Sequence, residues 1–191
     1  MENRAMTPAR LTAVILFSVL ATADGYAAPF QDPRSGIRVD VGDAYAIASE
    51  PVAGQPDASM IFINPRDTRH PFVPDSQTPM CVFTQWPDAD FASMTQAEID
   101  ADAPNWPADI VADMAGTAAL ESAAPFEHQG LAGMEVVTRL TQSVTNEDYL
   151  VFFALATPAG RASLACAATD ETLADALPVY RRVRDGITLP Q

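Results

Sequence analysis

The chain has 191 residues, and its 25 Asp and Glu against 11 Arg, with no Lys, give a net charge of −14. Such an excess of acid repels phosphate backbones, which argues against nucleic-acid binding through a basic surface. Apolar residues make up 48% and charged residues 19%, which is globular rather than disordered composition. Two Cys and two His are too few for a zinc-finger or iron–sulfur framework, and we expect no cofactor.

The N-terminal segment, residues 1–27, has the parts of a secretory signal peptide. Two arginines precede an apolar stretch, Leu11–Ala21, which is too short to span a bilayer but typical of a signal-peptide core. Small residues then lead to a cleavage site after Ala27, so we expect the mature chain to begin at Ala28. The alternative is an uncleaved N-terminal anchor. No later stretch is apolar over the length of about 18 residues that suggests a membrane span.

Export would place the chain in an oxidising compartment, either the periplasm or the medium. The two cysteines, Cys81 and Cys166, are then expected to form one disulfide, and two buried free thiols are the alternative. Residues 28–36 are rich in Pro and Gly and are predicted to be a flexible lead-in. Residues 37–191 are long enough to form one domain with its own core.

Alternation of apolar and polar residues predicts a series of strands along this domain. The predicted strands are 37–41, 45–48, 59–63, 80–84, a weak one at 118–122, a strand-to-turn passage at 126–133, then 134–141, 149–156 and 162–168. Pro, Gly and Asp predict a turn over 51–57. Four prolines predict a long loop over 64–79, because proline cannot donate to a strand ladder.

Three helices are predicted from capping and periodicity. The sequence Thr95–Glu98 has the form of a capping box and begins a helix that should stop before Pro104. A second short helix is expected over about 107–115, with Ile110, Val111 and Met114 as its apolar face. A last helix ends the chain over about 170–186 and contains Pro178, which should kink the helix or split it.

The order of these elements predicts an α+β fold, an antiparallel sheet with helices packed on its faces. Three further features carry a resemblance to a known family. They are Gly130-Leu131-Ala132-Gly133 leading into a strand with Arg139, two strands joined by a Pro-Ala-Gly turn, and a closing helix that contains Pro178 and ends in Gly-Ile-Thr-Leu. On these features, residues 37–189 resemble the PsbP-like fold family.

The resemblance implies an α/β/α sandwich and mainly protein partners. The family has no common active site, so no catalytic residue is carried over. One departure is that a Gly/Pro-Trp signature expected after the first hairpin is missing, and Glu50-Pro51 stands there instead.

The predicted loop over 64–79 is the leading candidate for a binding site. It holds Arg66, Arg69, His70 and Phe72, which is a basic spot with an aromatic on an otherwise acidic chain. Long loops in compact domains are often functional, and such a spot suits an acidic partner. The alternative is an excursion between two strands with no role in binding.

Two tryptophans, Trp86 and Trp106, flank the predicted helical region. They are either interface anchors or part of the packing between helix and sheet.

Two other functions stay open as alternatives. A hydrolase would need an unrecognised site near His70 or His128, since the chain has no Gly-x-Ser-x-Gly motif. Weak Ca²⁺ binding would use the acidic stretch 88–113, which otherwise is a solvated acidic face. The interpretation we favour is an exported, non-catalytic protein-binding or assembly module of the bacterial envelope, periplasmic or secreted.

Overall fold

The computed structural model describes residues 29–66, 70–142 and 146–190. The predicted signal peptide, 1–27, and Arg69 lie outside these ranges, so both remain sequence predictions. None of the helices in the described ranges is long and apolar enough to cross a membrane.

The described residues form two antiparallel sheets and three α-helices. The main sheet has seven strands in the order β3-β4-β5-β9-β8-β7-β6, and a small sheet has the order β1-β2-β10. The strands are β1 (Phe30–Gln31), β2 (Arg38–Val39), β3 (Tyr45–Val52), β4 (Gln55–Pro65), β5 (Cys81–Trp86), β6 (Ala118–His128), β7 (Leu131–Leu140), β8 (Tyr149–Thr157), β9 (Gly160–Ala168) and β10 (Ile187–Thr188). The helices are α1 (Gln96–Asp102), α2 (Trp106–Asp113) and α3 (Leu173–Asp185). This architecture confirms the predicted α+β class.

The main sheet lies between α3 on one face and α1 and α2 on the other. Successive side chains of a strand point to opposite faces. On β8, Val151 and Phe153 belong to the core that includes Tyr180 of α3, whereas Phe152 and Ala154 pack with the core of α1 and α2. The predicted capping box at the start of α1 is present, and Ile99 of that helix is fully buried.

The predicted disulfide is confirmed. Cys81 on β5 and Cys166 on β9 are register partners in the middle of the sheet, with their Cα atoms 4.2 Å apart. Both side chains belong to the core beneath α3. Because the bond joins neighbouring strands far apart in sequence, it links the first three strands of the main sheet to the last four.

The last helix is held on the sheet by polar contacts as well as by packing. The Tyr180 hydroxyl donates to the buried Ala167 carbonyl. Arg181 donates from Nε and Nη2 to both carboxylate oxygens of Glu135, at 2.8 and 2.7 Å. The helix continues through Pro178, so the predicted split into two pieces is wrong. Pro178 stands in the second helical turn, and its missing N–H removes only one donor.

Residues 29–36 of the predicted lead-in include the short strand β1. Phe30 of β1 pairs with Val39 of β2, which also pairs with Ile187 of β10. The buried Asp32 carboxylate accepts hydrogen bonds from Ser35 and Ser59. These contacts join the segment to β2 and to β4.

Two strand boundaries also differ from prediction. The turn predicted over 51–57 is a tight hairpin at Gly54, whose φ of +76° suits glycine. The weak strand and the strand-to-turn passage join into one strand, β6, that includes Pro125. β6 is at the edge of the sheet, the position in which a strand tolerates proline.

Removing the disulfide should destabilise the protein without changing its topology. The bond joins positions 85 residues apart, and the loop-entropy relation for that length predicts a loss of about 4.5 kcal/mol in the free energy of unfolding. Urea unfolding of the mature chain and of the C81A/C166A double variant measures this difference.

Thiol titration of denatured, unreduced protein should find no free thiol, and finding two would contradict the disulfide.

Candidate functional site

Three of the four predicted binding residues of the 64–79 loop, Arg66, His70 and Phe72, lie within the described ranges, and they differ in exposure. The Arg66 guanidinium is exposed and donates to the Asp43 and Tyr45 carbonyls at 3.1 and 3.2 Å. His70 is only 7% exposed. The half-buried Phe72 ring packs edge-on against the buried Tyr180 ring, with centroids 5.4 Å apart. Phe72 therefore covers part of α3, and the role of the predicted residues in binding a partner remains a prediction.

His70 belongs to a group of buried polar side chains. Its Nδ1 accepts the Phe72 backbone N–H at 3.3 Å. Burial lowers the pKa of His70 below its ordinary value of 6.5, although the nearby Glu147 acts in the opposite direction. Glu147 is buried as well and accepts from the Thr78 hydroxyl at 3.1 Å. The imidazole thus lies buried between the loop that contains Phe72 and the segment that contains Glu147.

His128 has a structural contact at the other end of the molecule. Its Nε2 lies 2.7 Å from the Ile187 carbonyl, which also accepts from the Gln129 side-chain amide at 2.9 Å. Gln129 Oε1 in turn accepts the Leu189 N–H. These bonds fix the C-terminal strand to the β6–β7 turn.

Several carboxylates of the acidic stretch 88–113 have local hydrogen-bond partners. Asp100 accepts from the Gln96 side chain at 2.8 Å, and Asp102 accepts from the Trp106 indole at 3.2 Å. Within the described ranges, no three Asp, Glu, His or Cys side chains are grouped so that they could hold a metal ion.

An apolar groove lies between α2 and the sheet, on the face opposite α3, and has a volume of about 230 Å³. Its floor is formed by β8 and β9, one wall by α2, and the other wall by the end of β5 and the segment that follows it. Its apolar members include Trp86, Phe91, Trp106, Ile110, Met114 and Phe152, and its charged members are Asp109, Asp113 and Arg161. We call this the α2 groove.

Aromatic packing shapes one end of the α2 groove. The rings of Phe91 and Trp106 meet edge to face, with centroids 6.4 Å apart. The Arg161 guanidinium lies 5.0 Å from the Phe91 centroid, and its Nε is 2.5 Å from Asp88 Oδ2. The cation is therefore neutralised by an acid of the same wall and serves to order the aromatic end.

Gly160 brings β9 against the backbone of Trp86. A Cβ at this position would lie 2.1 Å from the Trp86 carbonyl oxygen, so only glycine fits without displacement. The Pro-Ala-Gly turn recognised in the sequence thus contributes to the position of a groove tryptophan.

The floor of the α2 groove continues across the sheet as an apolar strip. Phe62, Val82, Ala165 and Phe152 are register partners on β4, β5, β9 and β8 in turn. All four side chains are half-buried. The helices on this face pack on β6, β7 and β8, which leaves the strip partly exposed to solvent. We call it the β4–β8 strip.

A solution structure of cyanobacterial PsbP (CyanoP) from Synechocystis sp. PCC 6803 is similar to the chain, with a TM-score of 0.52. The similarity covers 92% of this chain and 99% of that chain, at 10% sequence identity. The fold is PsbP-like. At such low identity the similarity establishes the fold alone. No family model matches the chain, and no curated protein matches it.

The two tryptophans fit both interpretations made from the sequence, packing between helix and sheet and exposure at a possible interface. Trp106 is buried in the helix–sheet core and also lines the α2 groove, and Trp86 is half-buried there. Sequence reasoning missed Ile110 and Met114 as binding candidates, because it placed them on the apolar face of α2. A groove wall differs from a core in being half-exposed, and this exposure depends on the distance between α2 and β9. The hydrophobic period of the sequence does not encode that distance.

Stability should fall with decreasing pH in a way that depends on His70. The pKa of His70 is lowered on folding, so its contribution is fully present above 6.5 and is lost as the pH falls toward the folded pKa. The H70N variant keeps an acceptor for the Phe72 N–H but cannot titrate. Its stability, measured by urea unfolding between pH 7.5 and 5, should fall less steeply than that of the wild type. Equal slopes would contradict this reading.

Proposed function

We propose that this protein is an exported, non-catalytic protein-binding or assembly module of the bacterial envelope, and that it binds its partner in the α2 groove. The observation that carries the proposal is an apolar groove that opens into the partly exposed β4–β8 strip. Contiguous exposed apolar surface with a polar rim marks interaction sites in soluble proteins. A groove lined by two tryptophans also has the composition of interface hot spots.

The size of the α2 groove favours a protein partner over a small molecule. Pockets for small ligands usually enclose about 300–1,000 Å³ and bury most of the ligand. At about 230 Å³ and open to the strip, the α2 groove suits one or two side chains of a partner. Such anchors, inserted beside Trp86 and Trp106, would supply most of the binding free energy.

The contacts of the histidines support a role without catalysis. His128 binds a backbone carbonyl of the C-terminal strand, and His70 is buried with a lowered pKa. Each therefore has a structural task. The α2 groove itself is lined by carboxylates, one arginine and apolar side chains, together with Ser163.

Export is supported by two independent features. The core disulfide between Cys81 and Cys166 suits an oxidising compartment, because cytosolic proteins seldom keep such bonds. The predicted signal peptide at 1–27 would deliver the chain to the periplasm or the medium.

The groove proposal predicts loss of partner binding in a groove variant. Met114 lines the groove at the end of α2, and M114E would place a charge in an apolar contact. An envelope extract passed over the immobilised mature domain should yield a protein that the wild type retains and M114E does not. The control is L120E, because Leu120 is 48% exposed on β6 and lies outside the groove. Equal retention by M114E and the wild type would contradict binding in the groove.

Export predicts a processed, oxidised product. When the full chain is expressed in a bacterium with a periplasm, mass spectrometry of the periplasmic fraction should show a polypeptide that begins at Ala28. Recovery of unprocessed chain in the membrane fraction would instead support the alternative of an uncleaved anchor.

A further inference from the structure

One long stretch of the chain that contributes to the α2 groove carries acids but no base. Residues 70–138 contain no Arg or Lys, and this stretch supplies β5, α1, α2, β6 and most of β7. The one arginine that lines the groove, Arg161, is paired with Asp88. The local charge around the groove is therefore negative in excess of what its own cation offsets.

Two carboxylates stand on the groove wall itself. Asp109 and Asp113 are four positions apart on α2, which places them on one side of the helix, and both are exposed. Asp113 is the last residue of α2, and the last turn carries no base. The helix macrodipole disfavours an acid at that end. Stability of the helix therefore does not explain Asp113, whereas attraction of a cationic partner does.

The shape of the surface favours a helical partner. The floor strands β5, β9 and β8 are each paired on both sides, so their backbone groups are already bonded and cannot accept an added strand. A helix satisfies its own backbone and offers a stripe of apolar side chains. The β4–β8 strip crosses four strands, about 14 Å, which a helix of about ten residues spans. Such a helix would lie beside α2 and cover the exposed part of this face.

We propose that the α2 groove and the β4–β8 strip bind an amphipathic α-helix of a partner protein, with an apolar stripe against Trp86 and Phe152 and with Lys or Arg facing Asp109 and Asp113. This inference rests on the proposed function and specifies the chemistry of the partner. Apolar contact provides the affinity, and the two carboxylates select the sign of the flanking charge.

The test uses three synthetic helical peptides without Trp. They share one Leu stripe and differ only in the residues that flank it, which are Lys, Ser or Glu. Fluorescence of Trp86 and Trp106 in the mature protein, together with calorimetry, reports binding. The Lys peptide should bind about fivefold to tenfold tighter than the Ser peptide at low salt, as two exposed ion pairs allow, and the Glu peptide most weakly. Added salt should reduce the difference.

The matched variants separate the groove from the general negative charge. D109N/D113N should abolish the preference for the Lys peptide over the Ser peptide. E171Q/D175N removes the same two charges from the opposite face of the sheet, where α3 packs, and should keep the preference. D113N alone should not lower the melting temperature, because it relieves an unfavourable dipole interaction. Reduced binding of the Lys peptide by this variant would then not be a folding defect.

Each result has one meaning. Equal binding of the Lys and Ser peptides, both weakened by M114E, would overturn the inference of a basic partner and leave the apolar groove intact. Failure of all three peptides, while M114E still loses a captured envelope protein, would overturn the helical partner but not the proposed function. A charge preference that E171Q/D175N reduces as much as D109N/D113N would show that it comes from net charge and would overturn the inference.

Discussion

The pairing of β5 with β9 is the contact on which the remaining architecture depends. In the sheet order it joins strands β3–β5, from the first part of the domain, to β6–β9, from the second. Pairing strands so distant in sequence carries a loop-closure cost in entropy before any contact is gained. The Cys81–Cys166 bond lies in this pairing. Because the bond already closes the loop in the unfolded chain, it lowers the entropy of the unfolded state and so reduces the entropy lost on folding. Once the two halves are joined, the core beneath α3 is continuous from Ile61 to Phe153.

The same topology explains why one face of the main sheet is covered more completely than the other. On one face, α3 and the small β1-β2-β10 sheet together cover the central strands, with Val39, Ile187 and Tyr180 fully or nearly fully buried. On the other face, α1 and α2 connect β5 to β6, which is the far edge of the sheet, so they pack on β6, β7 and β8. A crossing of that length leaves the central strands β5 and β9 only partly covered. The α2 groove and the β4–β8 strip are thus a result of connectivity rather than of an isolated loop.

The sequence predicted what depends on local chemistry. The capping box at Thr95, the cysteine pair, the strands β7–β9 and the α+β class are all seen in the structure. The sequence failed where tertiary pairing decides. The predicted weak strand and strand-to-turn passage form one strand, because Pro125 breaks a strand only if that strand is central and β6 is an edge strand. The candidate site shows the same division, because Phe72 looks like an exposed loop aromatic but packs on Tyr180, whereas Met114 looks like core but lines a groove.

A partly exposed apolar strip on the central strands creates a risk of self-association, and the net charge of −14 counteracts it. Two copies that approach through this face would bring the acids of both α2 helices together, including Asp109 and Asp113, and would meet few cations in return. Like-charge contact across an interface costs free energy that the apolar area must offset. The penalty disappears when the partner is cationic, since the same carboxylates then attract it. Under the proposed function, the same acidity opposes contact between two copies through this face and favours a cationic partner, so it discriminates between these two occupants.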